Sequence, residues 1–192
     1  MGFSITWCAV REQGVKELLA QLELSPTGET EEIPESLIST VKLDTGWRVI
    51  WYNEYGCPFL TPEQLCTISK EQDVLVCLVE EHVMASSAEF WSGGTRAWWI
   101  AHEGENAPTG LLTGGALPAS FSSIRSEMEH AHRADGEDTA DVDYFFEIPL
   151  KVAQSMVGFK HDEDCPHMTE GHFAVLSRPA PKKGLLGQLF GR

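Results

Sequence analysis

The most regular pattern of hydrophobic and polar positions lies between residues 73 and 104. Val74 to Val79 are consecutive apolar residues, which is typical of a strand that is buried on both of its faces. Two aromatic-rich segments, Glu89–Trp91 and Ala97–Ile100, follow it. The pattern therefore predicts a central β-meander over about residues 73–104.

A glycine pair sets the predicted register of this meander. Gly93-Gly94 provides the positive φ angles that a two-residue hairpin turn requires. With this pair as the loop, Trp91 would face Arg96, and Ala85 would face His102, across an antiparallel ladder. Large aromatic side chains are therefore expected on adjacent strands.

Periodic segments on both sides of the meander predict further elements. Val15 opens a run of apolar residues with the i, i+3, i+4, i+7 spacing of an amphipathic helix. Thr61 is a suitable helix N-cap, because its side chain can accept a hydrogen bond from the first turn. The predicted strands outside the meander are Phe3–Val10, Val41–Leu43, Trp47–Trp51 and Phe173–Leu176, and the predicted helices begin near Val15, Thr61, Pro118 and Pro149.

Three segments have patterns that predict irregular structure or leave two alternatives. The polar segment 25–34 predicts a loop, since it contains Pro, Gly and several Glu and Thr residues. The glycine-rich segment 109–116 predicts a turn-rich loop or a short hairpin. Tyr144–Ile148 predicts a buried strand or an extended connection.

These elements together predict an α+β fold. Strands and helices are interspersed without regular βα alternation, and the clearest strand connections are hairpins, so we expect a mainly antiparallel sheet covered by several helices. The length of 192 residues and the hydrophobic content of 42% fit a single domain over residues 1–178. Residues 179–192 are rich in Pro, Lys, Gly and Leu, which predicts a flexible basic amphipathic tail that makes weak contact with an anionic membrane or a partner groove.

Composition and charge narrow the classes of function. The formal charge of −15 disfavours nucleic-acid binding through a basic face. We find neither a signal-peptide pattern nor an apolar run long enough for a transmembrane helix. The five cysteines are scattered and odd in number, so a disulfide framework is not expected and a cytoplasmic location is.

Acidic and aromatic residues form the first candidate site, a surface for a protein partner. Asp141, Asp143 and Glu147 belong to an acidic stretch that would attract a basic protein. Trp91 and Trp99 in the meander are candidates for the same role, because tryptophan is enriched among the residues that dominate binding energy at interfaces. The alternative is that the charges only keep the protein soluble and the aromatics only pack in the core.

The second candidate site is the segment from His161 to His172, which combines imidazole, thiol and carboxylate groups. His161, Cys165, His167 and His172 could together satisfy a tetrahedral Zn²⁺ ion. Their spacing matches no standard zinc motif, so a solvated polar loop is the alternative. His102 or Glu81, at the ends of predicted strands, would be the base if the protein were an enzyme, yet no nucleophile motif such as G-x-S-x-G is present.

The sequence therefore favours binding over catalysis. We expect a small acidic cytoplasmic protein-binding module that needs no cofactor and has a basic protein as its partner. In size and charge the chain resembles immunity- and antitoxin-type inhibitors, which implies that its acidic surface would block the active cleft of a basic protein. The alternative is a metal-binding protein or metal-dependent enzyme that uses the residues between His161 and His172.

Overall fold

The computed structural model describes residues 2–104, 109–136 and 142–179. These residues form nine strands, four α-helices and a short 3-10 turn at Glu12–Gly14. The strands are β1 (Ser4–Arg11), β2 (Ser25–Glu31), β3 (Ile38–Lys42), β4 (Trp47–Tyr52), β5 (Val74–Glu80), β6 (Ala85–Ser92), β7 (Thr95–Glu103), β8 (Leu112–Gly115) and β9 (Phe173–Ser177). The helices are α1 (Val15–Gln21), α2 (Pro62–Ile68), α3 (Ser120–Ala134) and α4 (Glu147–Val157).

All nine strands of the described chain belong to one open antiparallel sheet with the order β2-β9-β3-β4-β1-β5-β6-β7-β8. The predicted α+β class is therefore confirmed. The predicted meander is also confirmed, because β5, β6 and β7 are consecutive antiparallel neighbours within residues 73–104. Strand β5 lies between β1 and β6, and most of its side chains on both faces are buried, as the apolar run from Val74 to Val79 indicates.

A β-bulge in β7 makes one of the two predicted residue pairs wrong. Trp91 faces Arg96 as predicted, but Phe90 faces Trp98, so Ala97 is an extra residue in β7. From this point on, every pair is shifted by one residue, and His102 faces Ser86 where the prediction placed it opposite Ala85. Because side chains alternate along a strand, the extra residue decides which face of the sheet each later side chain occupies.

The two faces of the sheet carry separate hydrophobic cores. On one face, here called the α3/α4 face, strand residues such as Trp7 and Ile100 pack with residues of α3 and α4, among them Phe121 and Leu150. On the other, the α1/α2 face, residues such as Val76 pack with Leu18 and Leu65 of the two shorter helices, among others. Trp98 is buried on the α3/α4 face, whereas Trp99 points to the opposite side, as their adjacent positions predict.

Local signals in the sequence account for several helix ends. The Thr61 hydroxyl accepts a hydrogen bond from the backbone N–H of Gln64 at 3.3 Å, so the predicted N-cap of α2 is confirmed. Helix α4 ends at Gly158, whose φ of +84° is the left-handed conformation that glycine adopts without strain. The chain then turns directly into Phe159 and Lys160, both of which are buried.

Of the three segments that were predicted to be irregular or left with two alternatives, two differ from the structure. The predicted loop at 25–34 contains the edge strand β2, whose side chains are mostly exposed and therefore show no hydrophobic alternation. Segment 109–116 contains β8, a short strand paired with β7, in agreement with the hairpin alternative. Tyr144–Ile148 is not a strand, because its first residues form a turn and α4 begins at Glu147.

Within the described residues, no helix is long and apolar enough to cross a bilayer. The predicted tail and its membrane or partner contacts involve residues 180–192, which lie outside the described part of the chain.

Candidate functional site

A pocket lies at the end of the sheet where β5 turns into β6, beside the start of α4. Its volume is about 500 Å³, and its lining includes the carboxylates of Glu81, Asp143 and Glu147 together with the apolar side chains of Met84 and Phe146. We call it the acidic pocket. The three acidic residues come from separate stretches of chain, namely the β5–β6 turn, the segment before α4 and the first turn of α4.

The carboxylate of Asp143 is held by a buried histidine. Its Oδ2 accepts a hydrogen bond of 2.9 Å from Nε2 of His102, whose side chain is 0% exposed. Its Oδ1 accepts bonds of 3.0 Å from the backbone N–H groups of Phe145 and Phe146. Because both oxygens are engaged within the protein, the carboxylate has a fixed orientation at the pocket wall.

The hydrogen bonds of His102 define its charge state. Its Nδ1 lies 2.8 Å from the carbonyl oxygen of Gly110, which can only accept, while Nε2 donates to the carboxylate of Asp143. Both ring nitrogens therefore carry hydrogen, and the ring is an imidazolium. Burial opposes this charge, but the bonds to Asp143 and Gly110 outweigh it and raise the pKa of His102. Burial by itself would raise the pKa of Asp143, but the bonds from His102 and from the backbone N–H groups of Phe146 and Phe145, together with the charge of His102, lower it.

The carboxylate of Glu147 is held by a buried lysine. Nζ of Lys160 lies 3.2 Å from Oε2 of Glu147, 2.6 Å from Oδ1 of Asp162 and 3.4 Å from Oε1 of Glu163, and the lysine side chain is 4% exposed. Burial works against the ammonium charge, but the bonds to Asp162 and Glu147 outweigh it and raise the pKa of Lys160. The lysine is therefore an internal counter-ion shared by three carboxylates.

The third carboxylate of the acidic pocket belongs to Glu81. Its Oε2 accepts a hydrogen bond of 2.8 Å from the backbone N–H of Phe3, and its Oε1 lies 3.4 Å from Nε2 of the buried His161. Burial lowers the pKa of His161, despite the nearby carboxylates of Asp162 and Glu81, so this imidazole is neutral near pH 7. Buried cations thus pair with Asp143 and Glu147, whereas Glu81 is held by the backbone N–H of Phe3 and lies next to the neutral His161.

This arrangement suits the binding of a cationic group. The side chains of Glu81, Asp143 and Glu147 remain 27%, 18% and 23% exposed, so each carboxylate is oriented and yet accessible. Together with Asp162 and Glu163 they outnumber the two cations His102 and Lys160, and the region remains negative. His102 cannot act as a general base in this state, because both of its nitrogens donate hydrogen bonds.

The structure separates the residues predicted to contact a partner. Asp143 and Glu147 both line the acidic pocket. Asp141 lies outside the described residues. Trp91 is 8% exposed and belongs to the core of the α1/α2 face, whereas Trp99 is partly exposed on that face.

The four predicted metal ligands have different surroundings. His161 faces Glu81, as described above, and the Cys165 thiol donates a hydrogen bond of 3.4 Å to the carbonyl oxygen of Gly158. His167 pairs with Asp44 at 2.8 Å, and His172 is partly buried next to β9. Across the described ranges, no three His, Cys, Asp or Glu side chains are grouped so that they could hold a metal ion.

Sequence reasoning did not identify Lys160 as a site residue. A lysine is by default exposed, and nothing in the sequence marks this one as buried. The signal that was present is its position, since it follows the helix-ending Gly158 and the apolar Phe159 and precedes the acidic run that begins at Asp162. A lysine between an apolar residue and several acids is a candidate internal counter-ion.

No family model matches the chain, and comparisons with curated proteins and with solved structures also return no match. Any assignment of function therefore rests on the geometry of the chain itself.

Proposed function

We propose that the protein is a binding module that recognises a basic protein partner through the acidic pocket. One observation carries this proposal: three acidic residues from separate chain segments, Glu81, Asp143 and Glu147, line one pocket, and each carboxylate is oriented by contacts within the protein. Groups that are oriented before binding lose little freedom when a partner docks, which favours affinity. A lysine or arginine side chain of the partner would supply the complementary charge.

The charge of the whole chain supports the same class of partner. Three of the fourteen basic residues, Lys182, Lys183 and Arg192, lie in the last thirteen positions, which contain no acidic residue. The remainder of the chain therefore has eleven basic residues against 29 acidic ones. Such a field accelerates association with cationic proteins and disfavours anionic ones. An inhibitor of the immunity or antitoxin type, which covers the basic active cleft of its target, is the form of this function that we propose.

The first experiment uses a fluorescent oligolysine peptide as the probe and measures its affinity by anisotropy at several salt concentrations. The double variant Glu81→Gln, Glu147→Gln should weaken binding roughly three- to thirtyfold, since exposed charge pairs contribute about 0.3–1 kcal/mol each. It should also flatten the dependence of affinity on salt. Both substitutions keep the size of the side chain and an acceptor oxygen, so they remove charge with little change in packing.

The matched control changes the net charge equally at a distant place. Glu29 and Glu32 are exposed residues at the β2 edge of the sheet, roughly 24 Å, or five strand spacings, from β5. Glu29→Gln, Glu32→Gln should change the affinity less than about twofold. Equal loss in both double variants would mean that only the net charge attracts the peptide, and the pocket would lose its proposed role.

The metal-binding alternative makes a separate prediction. Binding of oligolysine by the proposed module should be unchanged in Cys165→Ser, His167→Ala and in the presence of EDTA. The decisive measurement is the zinc content of protein purified without a metal-affinity tag. If the wild type held stoichiometric zinc, and the double variant lost both the zinc and stability, the metal-binding alternative would be correct and the binding module wrong.

A further inference from the structure

The second half of the meander leaves part of the α1/α2 face uncovered. Along β6 and β7, most side chains on the α3/α4 face are buried, whereas Ala85, Ser87, Trp99 and Ala101 on the other face are only partly buried. One-sided burial of this kind is typical of an antiparallel sheet with one open face. The bulge at Ala97 produces this arrangement, because it directs Ala101 and its neighbours to this side.

A groove runs over this open face. Its volume is about 440 Å³, its floor includes the small side chains of Ala85, Ser87 and Ala101, and its walls include Tyr55 and Val83. Ser87 faces Ala101 directly across the β6–β7 ladder, so two small residues meet at the centre of the floor. We call this the open-face groove. It lies on the other side of the β5–β6 turn from the acidic pocket, since Val83 lines the groove and Met84 lines the pocket.

The walls of the groove combine an aromatic ring with negative charge. Tyr55 is 48% exposed and Val83 is 39% exposed, so both side chains are accessible to a ligand. Glu103 lines the groove opposite Ala85, and Glu80 lies nearby at the end of β5. Burial and the charges of Glu80 and Glu103 raise the pKa of the Tyr55 hydroxyl.

We infer that the open-face groove receives one lysine or arginine side chain of the basic partner. The cation would lie against the ring of Tyr55 and beside the carboxylate of Glu103, while its aliphatic stem would cover Ala101 and Val83. This inference rests on the proposed function, because it takes the partner to be a basic protein. It adds a second anchor point, on the other side of the β5–β6 turn from the acidic pocket.

The test fills the groove without changing any charge. In Ala101→Leu, the larger side chain occupies the floor and keeps the cation away from Glu103, so affinity for the oligolysine peptide should fall about tenfold and depend less on salt. Ala134→Leu, at an exposed position near the end of α3, is the matched control and should bind as the wild type. Tyr55→Ala is a second variant, which removes the aromatic ring from the groove and should also weaken binding. Its control is Leu37→Ala, which removes an equally exposed apolar side chain elsewhere and should leave binding unchanged. Amide signals of Ser87 and Ala101 in the wild type should shift on titration with the peptide, whether or not a variant folds.

The outcomes are distinguishable. Unchanged binding in Ala101→Leu and Tyr55→Ala, together with weakened binding in Glu81→Gln, Glu147→Gln, would overturn the groove and leave the proposed function standing. Absence of peptide shifts at Ser87 and Ala101 would overturn the groove equally. If the wild-type protein did not bind oligolysine at all, the proposed function and the groove would both be wrong.

Discussion

Nε2 of His102 donates a 2.9 Å hydrogen bond to Oδ2 of Asp143 although 41 residues separate them in the chain. This bond connects the end of β7 to the segment that leads into α4. The second ring nitrogen binds the carbonyl oxygen of Gly110, so one imidazolium joins three parts of the chain beside the acidic pocket. The charge of this ring therefore contributes to the stability of the pocket.

His102 makes stability depend on pH. Since its pKa is raised above the ordinary 6.5 in the folded protein, the bond contributes fully below pH 6.5 and is lost as the pH rises through the folded value. His102→Gln should therefore lower the free energy of unfolding by about 2–4 kcal/mol near pH 6. The difference from the wild type should shrink toward pH 8.5, as measured by urea denaturation across this range.

A difference measurement isolates this effect from the other histidines. The lowered pKa of His161 opposes stability at acidic pH, but it acts in both proteins and cancels. His82→Gln is the control, because the His82 side chain is 64% exposed; its stability should change by less than about 1 kcal/mol. A loss in His102→Gln that is the same at pH 6 and pH 8.5 would show that folding does not raise the pKa of His102.

Lys160 should be coupled strongly to its carboxylates. Lys160→Met leaves Glu147, Asp162 and Glu163 without their cation, which should cost about 3 kcal/mol at pH 7. Asp162→Asn should cost less in the Lys160→Met protein than in the wild type, by about 1–2 kcal/mol. A double-mutant cycle from chemical denaturation measures this difference.

An exposed ion pair of similar length provides the comparison. Arg125 and Glu129 lie 2.7 Å apart on α3, but the arginine side chain is 49% exposed. Their coupling in the same kind of cycle should be below about 0.5 kcal/mol. If the two cycles gave equal coupling, burial of Lys160 would not strengthen its interactions.

A side chain at Gly115 should destabilise the protein, because β8 lies very close to the bulge residue Ala97 at this position. Its φ is +79°, and a Cβ there would overlap the carbonyl oxygen of Ala97. Gly115→Ala should destabilise the protein by about 2–4 kcal/mol. Gly28 has a similar φ of +91° with open space around it, so Gly28→Ala carries only the conformational strain, about 1 kcal/mol. Equal melting temperatures for the two variants would contradict the close approach at Ala97.

The five cysteines should differ in reactivity in the order of their burial. Burial raises the pKa of Cys57 to about 12 and also raises the pKa of Cys8 and Cys77, and all three are inaccessible. In native protein, a thiol reagent at pH 8 should modify Cys66 first and Cys165 more slowly. The other three should react only after unfolding, which peptide mapping by mass spectrometry would establish. Rapid modification of Cys77 in the folded protein would contradict the position of β5 in the centre of the sheet.

Local periodicity was sufficient to predict much of the fold. The stripe that begins at Val15 forms α1 with Leu18 buried, and Gly93-Gly94 forms the turn between β6 and β7. These signals depend only on neighbouring residues. The bulge at Ala97 was not predictable in this way, because alanine has no special backbone preference there; in the shifted register Trp98 stacks against Phe90.

The candidate site was predictable only in part. The acidic character of Asp143 and Glu147 was visible in the sequence, and both line the pocket. Their buried partners were not visible, since His102 lies far away in the chain and its face of β7 is set by the bulge. Convergence of distant segments on one pocket is a property of the strand order, which no local pattern encodes.

The strand order has a consequence for biosynthesis. Strand β9 lies between β2 and β3, although some 130 residues separate it from them in the chain. During translation, β2 has no neighbour in the sheet and β3 has a bare edge until Phe173–Ser177 has left the ribosome. The segment that completes the sheet is therefore synthesised after the eight other described strands. A nascent chain that was released before this segment was made would expose an unpaired strand edge that is prone to aggregation.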